Sequence, residues 1–331
     1  MSTILTTTTS FAKESPDVVA PIRTSGLRPV FNPLERKLNE TEVGKLLREY
    51  RPIGLLAGTE PITRNVLDMA KDHLRIISRV GVGWDNIDRE AVKELGIRIY
   101  RTAGVLTQAV AELTIGLILS ALRYISSNDR LLRQGRWQKT MGGLLGGKFV
   151  GVIGFGNIGQ RVGELATAFG AKVLYYDPQT IEVPWAQPVS LSELLTEAEI
   201  ITIHASGEER ILGMEELRKI CKRGVILVNT ARGGLIDEAA LQKCLTQGRI
   251  NFACLDVFED EPYCGPLCSL DNVILTPHIG SYAKEARVLM ERAAVENLLK
   301  GLEEIGFLKR KKSIASEAEA QSVADSGQSP D

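Results

Sequence analysis

Residues 148–178 read KFVGVIGFGNIGQRVGELATAFGAKVLYYDP, and the order of residue types in this stretch decides the fold. The apolar run 149–153 is long enough for one buried strand, and Gly154-Phe155-Gly156-Asn157-Ile158-Gly159 follows it at once. Beyond the glycines, Ile158, Val162, Leu165, Ala166 and Phe169 recur at three- and four-residue intervals, the period of one helix face. A second apolar run, 173–176, ends in Asp177. Strand, glycine turn, helix, strand and then an acid about 20 residues on is the context in which a GxGxxG carries meaning.

Each part has a physical task. Gly154 would permit the tight turn, Gly156 the approach of backbone to a pyrophosphate, and Gly159 the close packing of helix on strand. The helix start at Asn157 and Ile158 would offer unpaired N–H groups and a partial positive charge to the phosphates. Asp177 can accept hydrogen bonds from both hydroxyls of an adenosine ribose and would repel a 2′-phosphate. No Arg or Lys follows it in Pro178-Gln179-Thr180, which favours NAD over NADP. The competing reading is a glycine-rich turn in some other βαβ unit.

Outward from this stretch the chain alternates strands and helices. Upstream, strands are expected over 27–31, 52–57, 74–80 and 97–100, with helices over 40–50, 63–70 and 86–95. The first 25 residues are Thr- and Ser-rich, with room for a short opening strand and then a loop. A long helix is expected over 107–133, after a candidate hinge at Arg101-Thr102-Ala103-Gly104. Downstream come helices over 190–197, 213–220 and 237–247, strands over 199–203, 224–228, 251–255 and 273–275, and a helix over 283–301. Such alternation implies parallel sheets covered on both faces, and therefore an α/β protein with two doubly wound units.

Composition narrows the function classes. The 331 residues suffice for two domains, and 44% hydrophobic with 24% charged residues is globular composition. A formal net charge of -1 makes no electrostatic case for nucleic acid or an anionic membrane. No run has the length of a membrane span, and the N-terminus lacks the layout of a secretory signal, so a cytoplasmic location is expected. The 5 cysteines have no framework spacing. Cys264 and Cys268 form a C-x3-C pair without the further ligands of a zinc site, so no metal is expected. From Lys309 the chain turns into a basic cluster and a Ser/Ala/Glu/Gln-rich end, expected to be a disordered tail over 309–331.

Three further stretches lie at or just past expected strand ends. They are Val228-Asn229-Thr230-Ala231-Arg232-Gly233-Gly234-Leu235-Ile236-Asp237, Leu255-Asp256-Val257-Phe258-Glu259-Asp260-Glu261-Pro262 and Leu275-Thr276-Pro277-His278-Ile279-Gly280. In open α/β sheets ligands bind beyond the carboxyl ends of strands, so these segments should converge near the cofactor. An Arg, a Glu and a His gathered there suit oxidation of an alcohol beside a carboxylate. Arg232 and Glu261 as a structural ion pair, with His278 a satisfied loop histidine, is the bland alternative. Asp237, just ahead of Glu238-Ala239-Ala240-Leu241, reads as a helix N-cap. His204 at a strand end reads as structural and His73 as a surface cap.

With these motifs in order, and with Leu55-Leu56-Ala57-Gly58-Thr59 and Arg79-Val80-Gly81-Val82-Gly83-Trp84-Asp85-Asn86-Ile87-Asp88 ahead of them, the sequence resembles the D-isomer-specific 2-hydroxyacid dehydrogenase family, and most of all its phosphoglycerate dehydrogenase branch. The resemblance implies a Rossmann NAD-binding domain over 105–281 inserted into a flavodoxin-like substrate domain made of 1–104 and 282–308. It implies that Arg232 pairs with the substrate carboxylate, that His278 exchanges the hydroxyl proton while hydride passes between C2 and the nicotinamide, and that Glu261 bonds the imidazole and fixes its tautomer. Asp256 resembles the family's contact to the nicotinamide carboxamide. His204, Ala205 and Ser206 would border the adenosine side, with Thr230, Ala231 and Gly280 also on the cofactor side. Val82 and Gly83 would offer backbone N–H groups to a carboxylate, and Arg79 stands where phosphoglycerate-type members direct an arginine at the phosphate.

The expected reaction is therefore NAD-dependent interconversion of a D-2-hydroxy acid and its 2-keto acid, with 3-phosphoglycerate and 3-phosphohydroxypyruvate leading. Reduction of glyoxylate, hydroxypyruvate or another small 2-keto acid is the alternative, and a non-catalytic NAD-responsive binding protein the distant one. The resemblance also implies a homodimer, with the helix over 107–133 as interface or, alternatively, as core of one subunit. Two departures from the family pattern, Arg101-Thr102-Ala103-Gly104 at the hinge and Ala205-Ser206-Gly207 after the strand-end His, bear on hinge stiffness and the adenosine loop.

Overall fold

The computed structural model describes residues 1–207, 209–220 and 224–309. Apart from Lys309, the tail expected over 309–331 lies outside them. The chain divides into two compact units, Met1–Ala103 with the residues from Val288 onward, and Gly104–Arg287.

The first unit holds β1 (Thr3–Thr6), α1 (Ala20–Thr24), β2 (Arg28–Phe31), α2 (Glu40–Tyr50), β3 (Gly54–Ala57), α3 (Arg64–Asp68), β4 (Ile76–Arg79), α4 (Arg89–Glu94) and β5 (Arg98–Arg101). Its five strands are all parallel in the order β2-β1-β3-β4-β5, a doubly wound sheet whose order reverses between β1 and β3. The strands β1, β3 and β4 are buried throughout, as expected of apolar runs covered on both faces. Helix α2 begins in a capping box, Asn39 accepting from Glu42 N while the Glu42 carboxylate reaches back to Asn39 N, and ends on left-handed Arg51. His73 Nε2 meets the Leu47 carbonyl in the last turn of that helix at 3.1 Å.

The second unit holds α5 (Thr107–Leu122), α6 (Ile125–Arg133), β6 (Phe149–Ile153), α7 (Asn157–Ala168), β7 (Lys172–Tyr176), β8 (Ala186–Pro188), α8 (Leu191–Glu197), β9 (Ile200–Ile203), α9 (Met214–Lys219), β10 (Ile226–Asn229), α10 (Glu238–Thr246), β11 (Phe252–Leu255) and β12 (Val273–Leu275). Its seven parallel strands run β12-β11-β10-β9-β6-β7-β8. Alternate residues of each strand serve opposite faces. Ile153, Ile201, Ile203, Leu227, Ala253 and Leu255 join the core under α8 to α10, whereas Val150, Val152, Ile200, Val228, Phe252 and Cys254 join the core under α5 and α7. Asp237 caps α10, its side chain accepting from Ala240 N at 2.9 Å. The last helix, α11 (Lys284–Glu304), packs from Val288 onward in the first unit, where Ser78 Oγ donates to Ala294 O at 2.8 Å.

Two expectations are corrected and one strand is added. The helix expected over 107–133 is two, bent by 61° at left-handed Tyr124. The cause is tertiary: Tyr124 sets its ring edge-on to Phe252 in the core, and Gly143 N takes the Leu122 carbonyl at 2.9 Å, which ends α5. The opening loop contains a 3-10 turn, Pro16–Val19, and α1, which bury Val18, Val19 and Ile22. The edge strand β8, AQP, carries no strand signal and owes its form to pairing with β7. Among the described residues no single helix is long and apolar enough to cross a membrane.

Candidate active site

The glycine turn is built as its residue types require. Gly154 has φ +88, and a Cβ there would lie 2.4 Å from Ala205 N; a Cβ on Gly159 would lie 2.1 Å from Gly154 O. Gly156, the N-cap of α7, has open space where its Cβ would stand, and no side chain caps the helix. The first-turn N–H groups, from Asn157 and Ile158 on, are thus placed for an anion. Asp177 closes the turn from below, accepting from Phe155 N at 2.7 Å and from Gln179 N at 2.9 Å. An unfilled approach at Gly156, a helix start without a side-chain cap and an oriented carboxylate fit a dinucleotide.

At the end of β9, His204 lies beside this turn. Its Nε2 meets Thr202 Oγ1 at 2.8 Å, and Nδ1 is buried with no hydrogen-bond partner among the described residues. Burial pushes its pKa down to about 3, so the ring is neutral at physiological pH. Ser206, two residues on, is exposed.

The next strand end holds Arg232. Asn229, 1% exposed, braces the loop from both ends of its amide: Nδ2 donates to Arg232 O at 2.8 Å and Oδ1 accepts from Ala231 N at 3.0 Å. Thr230 Oγ1 lies 3.0 Å from Thr114 Oγ1, which itself donates to Val110 O, so the Thr230 hydroxyl is the donor of that pair. Arg232 Nη1 donates to Ala231 O at 2.7 Å. The following residue must be glycine, because a Cβ on Gly233 would lie 1.9 Å from Phe258 C and 2.4 Å from Glu259 N. That close approach seats the arginine loop against the segment carrying Glu261.

Glu261 and His278 form a direct pair. Glu261 Oε2 lies 2.8 Å from His278 Nδ1, while Oε1 accepts from Phe258 N at 3.2 Å. With Nδ1–H turned to a carboxylate, Nε2 is the nitrogen able to pass a proton to a ligand. The imidazole is 47% exposed and the Glu261 side chain 35%. His278 adopts φ +53, a left-handed backbone that costs a non-glycine residue about 1–3 kcal/mol and is held by its surroundings. Asp256, 1% exposed, accepts from Thr276 Oγ1, Ile279 N and Gly280 N, the residues around that histidine.

Arg79, Val82 and Gly83 belong to the first unit. Arg79 is 8% exposed; its guanidinium lies over Gly81 and Nη1 donates to Val80 O. Val82 and Gly83 are half-buried, and Trp84 beyond them lies under the guanidinium groups of Arg101 and Arg89, at 4.5 and 5.4 Å. Glu60, also buried in this unit, accepts from Thr7 Oγ1 and, at 2.9 Å, from Gly58 N. Asn86 Nδ2 donates to Glu60 O at 2.6 Å. Sequence reasoning assigned no role to Asn229, Thr114, Thr276 or Glu60. For Asn229, Thr276 and Glu60 the available signal was a polar residue placed where an apolar run meets a glycine-bearing turn; Thr114, in the middle of α5, had none.

A parallel sheet with a glycine turn, a helix start open to anions and an arginine, glutamate and histidine at the neighbouring strand ends defines a nicotinamide-dependent oxidoreductase. Residues 115–280 match the model of the D-isomer specific 2-hydroxyacid dehydrogenase, NAD binding domain. The hydroxypyruvate reductase of Thermotoga maritima is 40% identical over 280 residues, 82% of this chain and 90% of that protein. The glyoxylate reductase of Thermococcus litoralis is 38% identical over 275 residues, 77% of this chain and 82% of its own. The D-3-phosphoglycerate dehydrogenase of Methanocaldococcus jannaschii is 41% identical over 276 residues, 80% of this chain but 52% of its own. The crystal structure of the TT0316 protein from Thermus thermophilus superposes with a TM-score of 0.83 at 36% identity, covering 91% of this chain and 97% of that one. The chain belongs to the D-isomer specific 2-hydroxyacid dehydrogenase family. It is an NAD-binding oxidoreductase acting between 2-hydroxy and 2-keto acids.

Proposed function

We propose that the protein reduces a small unphosphorylated 2-keto acid, glyoxylate or hydroxypyruvate, with NADH. The observation that carries this choice over a phosphorylated substrate is Arg79. A guanidinium that is 8% exposed, laid over Gly81 and donating to the Val80 carbonyl, presents little of itself to a phosphate. The similarity to proteins named hydroxypyruvate and glyoxylate reductase over most of their length supports the same choice.

In this reading Arg232 binds the carboxylate of the keto acid and the C2 oxygen through its planar set of donors. Bound NADH supplies the hydride that C2 accepts. His278 Nε2 delivers the proton to the C2 oxygen, giving the hydroxyl, and Glu261 steadies the imidazolium through Nδ1. Asp177 favours NADH over NADPH, since its carboxylate would face a 2′-phosphate and Pro178-Gln179-Thr180 offers no cation.

Initial rates of NADH and NADPH oxidation with glyoxylate, hydroxypyruvate and 3-phosphohydroxypyruvate test both choices. The highest kcat/KM is expected for an unphosphorylated acid with NADH; a preference for 3-phosphohydroxypyruvate would overturn the substrate class. We propose further that the protein is a homodimer. Within the stretch expected over 107–133, α5 contributes to the core, and the interface is proposed at its later part and just beyond, where Ile125, Leu132, Trp137, Met141 and Leu144 are exposed. Sedimentation at dilute protein checks this, a monomer being the result that refutes it.

A further inference from the structure

Two residues hold the backbone on either side of His278 without belonging to the dyad. Thr276 follows β12 and is tied to its neighbour strand, its N–H donating to Leu255 O at 2.9 Å. Its hydroxyl donates to Asp256 Oδ1 at 2.6 Å. The same oxygen accepts from Ile279 N at 2.8 Å, and Oδ2 accepts from Gly280 N, also at 2.8 Å. Asp256 is itself anchored, its N–H donating to Asn229 O at 2.9 Å. One buried carboxylate thereby grips the loop before and after the histidine, whose own N–H donates to Thr276 O at 3.0 Å across the bend.

We propose that Asp256 and Thr276 are positioning residues for His278. They impose the left-handed backbone, φ +53, from which the imidazole reaches Glu261 and presents Nε2. The Glu261 contact alone fixes one ring nitrogen and leaves the ring free to swing with its backbone. The Asp256 clamp removes that freedom. Gly280, at the far side of the loop, has no side chain with which to hold residues 278–280, so its N–H bond to Asp256 supplies the anchor there. A carboxylate 1% exposed and facing three donors spends most of its about four lone-pair sites on the loop around His278. This rests on the reading of His278 as the proton donor.

The test uses Thr276→Ala, Thr276→Ser and Asp256→Asn in the full chain. Readouts are kcat and KM for hydroxypyruvate and glyoxylate at saturating NADH, with NADH affinity measured separately by the fluorescence of bound NADH. For Thr276→Ala, kcat should fall about 10- to 100-fold, the scale of a small misplacement of a reacting group, with KM and NADH affinity near wild type. Thr276→Ser keeps the donor and should restore most of kcat. Asp256→Asn should follow Thr276→Ala in lowering kcat. An unchanged kcat in Thr276→Ala, or a serine variant no better than alanine, overturns the proposal. So does Asp256→Asn acting on NADH affinity alone, which would restore the carboxamide contact. If Thr276→Ala does not fold, comparison of the serine and asparagine variants carries the same decision. His278→Ala is the separate control: if it keeps wild-type turnover, the reading of His278 fails whatever the other variants do.

Discussion

At the carboxyl ends of the five-stranded sheet, Thr7, Gly58, Glu60 and Asn86 commit their polar atoms to one another and to the turns around them. At the corresponding ends of the seven-stranded sheet, Asn229 and Asp256 do the same for the turns, yet the residues they steady are Arg232 and His278. Both sheets place buried polar groups at strand ends, where backbone donors and acceptors outrun the ladder and need partners. The difference is what stands on top. In the first unit the supported backbone is that of Gly58 and Glu60; in the second it is the backbone of loops that carry charged side chains, Arg232 and His278. Under the proposed function the two sheets divide the work between shape and reactivity.

Arg232→Ala is the largest way to break that division. It should lower kcat/KM by about 10³-fold or more while leaving unfolding in urea unchanged, because the side chain serves ligand rather than core. A near-wild-type rate would place the carboxylate elsewhere. Glu60→Ala should do the reverse. Deleting the buried acceptor of Thr7 and Gly58 should reduce unfolding free energy by about 2–3 kcal/mol, with the folded fraction keeping most of its kcat. Equal loss in kcat would move Glu60 into the chemistry.

The smallest effect concerns His204, which sits at a strand end of the seven-stranded sheet with Nε2 against Thr202 Oγ1. Its pKa falls from an ordinary value near 6.5 to about 3, so the unfolded chain binds the proton that the folded ring refuses. That contribution to stability is complete above pH 6.5 and is lost as pH falls below it, by about 1.4 kcal/mol per unit toward pH 5. His204→Gln keeps a polar group opposite Thr202 and should remove that part of the slope. Urea unfolding of both proteins at pH 7, 6 and 5 measures it; identical slopes would mean that the ring is hydrated.

The same contrast explains what could be read from the chain beforehand. The βαβ stretch around Gly154 was legible because its strand, helix and turn each depend on neighbours within a few residues. So were the order of α/β elements and the motifs bearing Arg232, Glu261 and His278. The break at Tyr124 was not, because it depends on Phe252 and Gly143, residues brought near only by folding. Nor was β8, whose AQP sequence is a strand only beside β7. Within the candidate site, the residues easiest to pick out are charged and sit in glycine-bearing turns. Asn229 bonds its own loop at Ala231 and Arg232, whereas Thr276 and Glu60 meet side chains that follow other strands, Asp256 and Thr7, and no spacing in the chain announces those partners.

In the proposed function the setting of Asp177 also bears on what selectivity costs. Its two oxygens already accept from Phe155 N and Gln179 N, which hold the carboxylate in one rotamer before any ligand arrives. A carboxylate offers about four lone-pair sites, so a ribose can add its hydroxyls without displacing either backbone donor. Nothing has to rearrange on arrival, and the side-chain ordering that would otherwise cost about 0.5–1.5 kcal/mol of affinity is complete in the resting protein. In the proposed function, discrimination at the ribose then asks for no movement of Asp177.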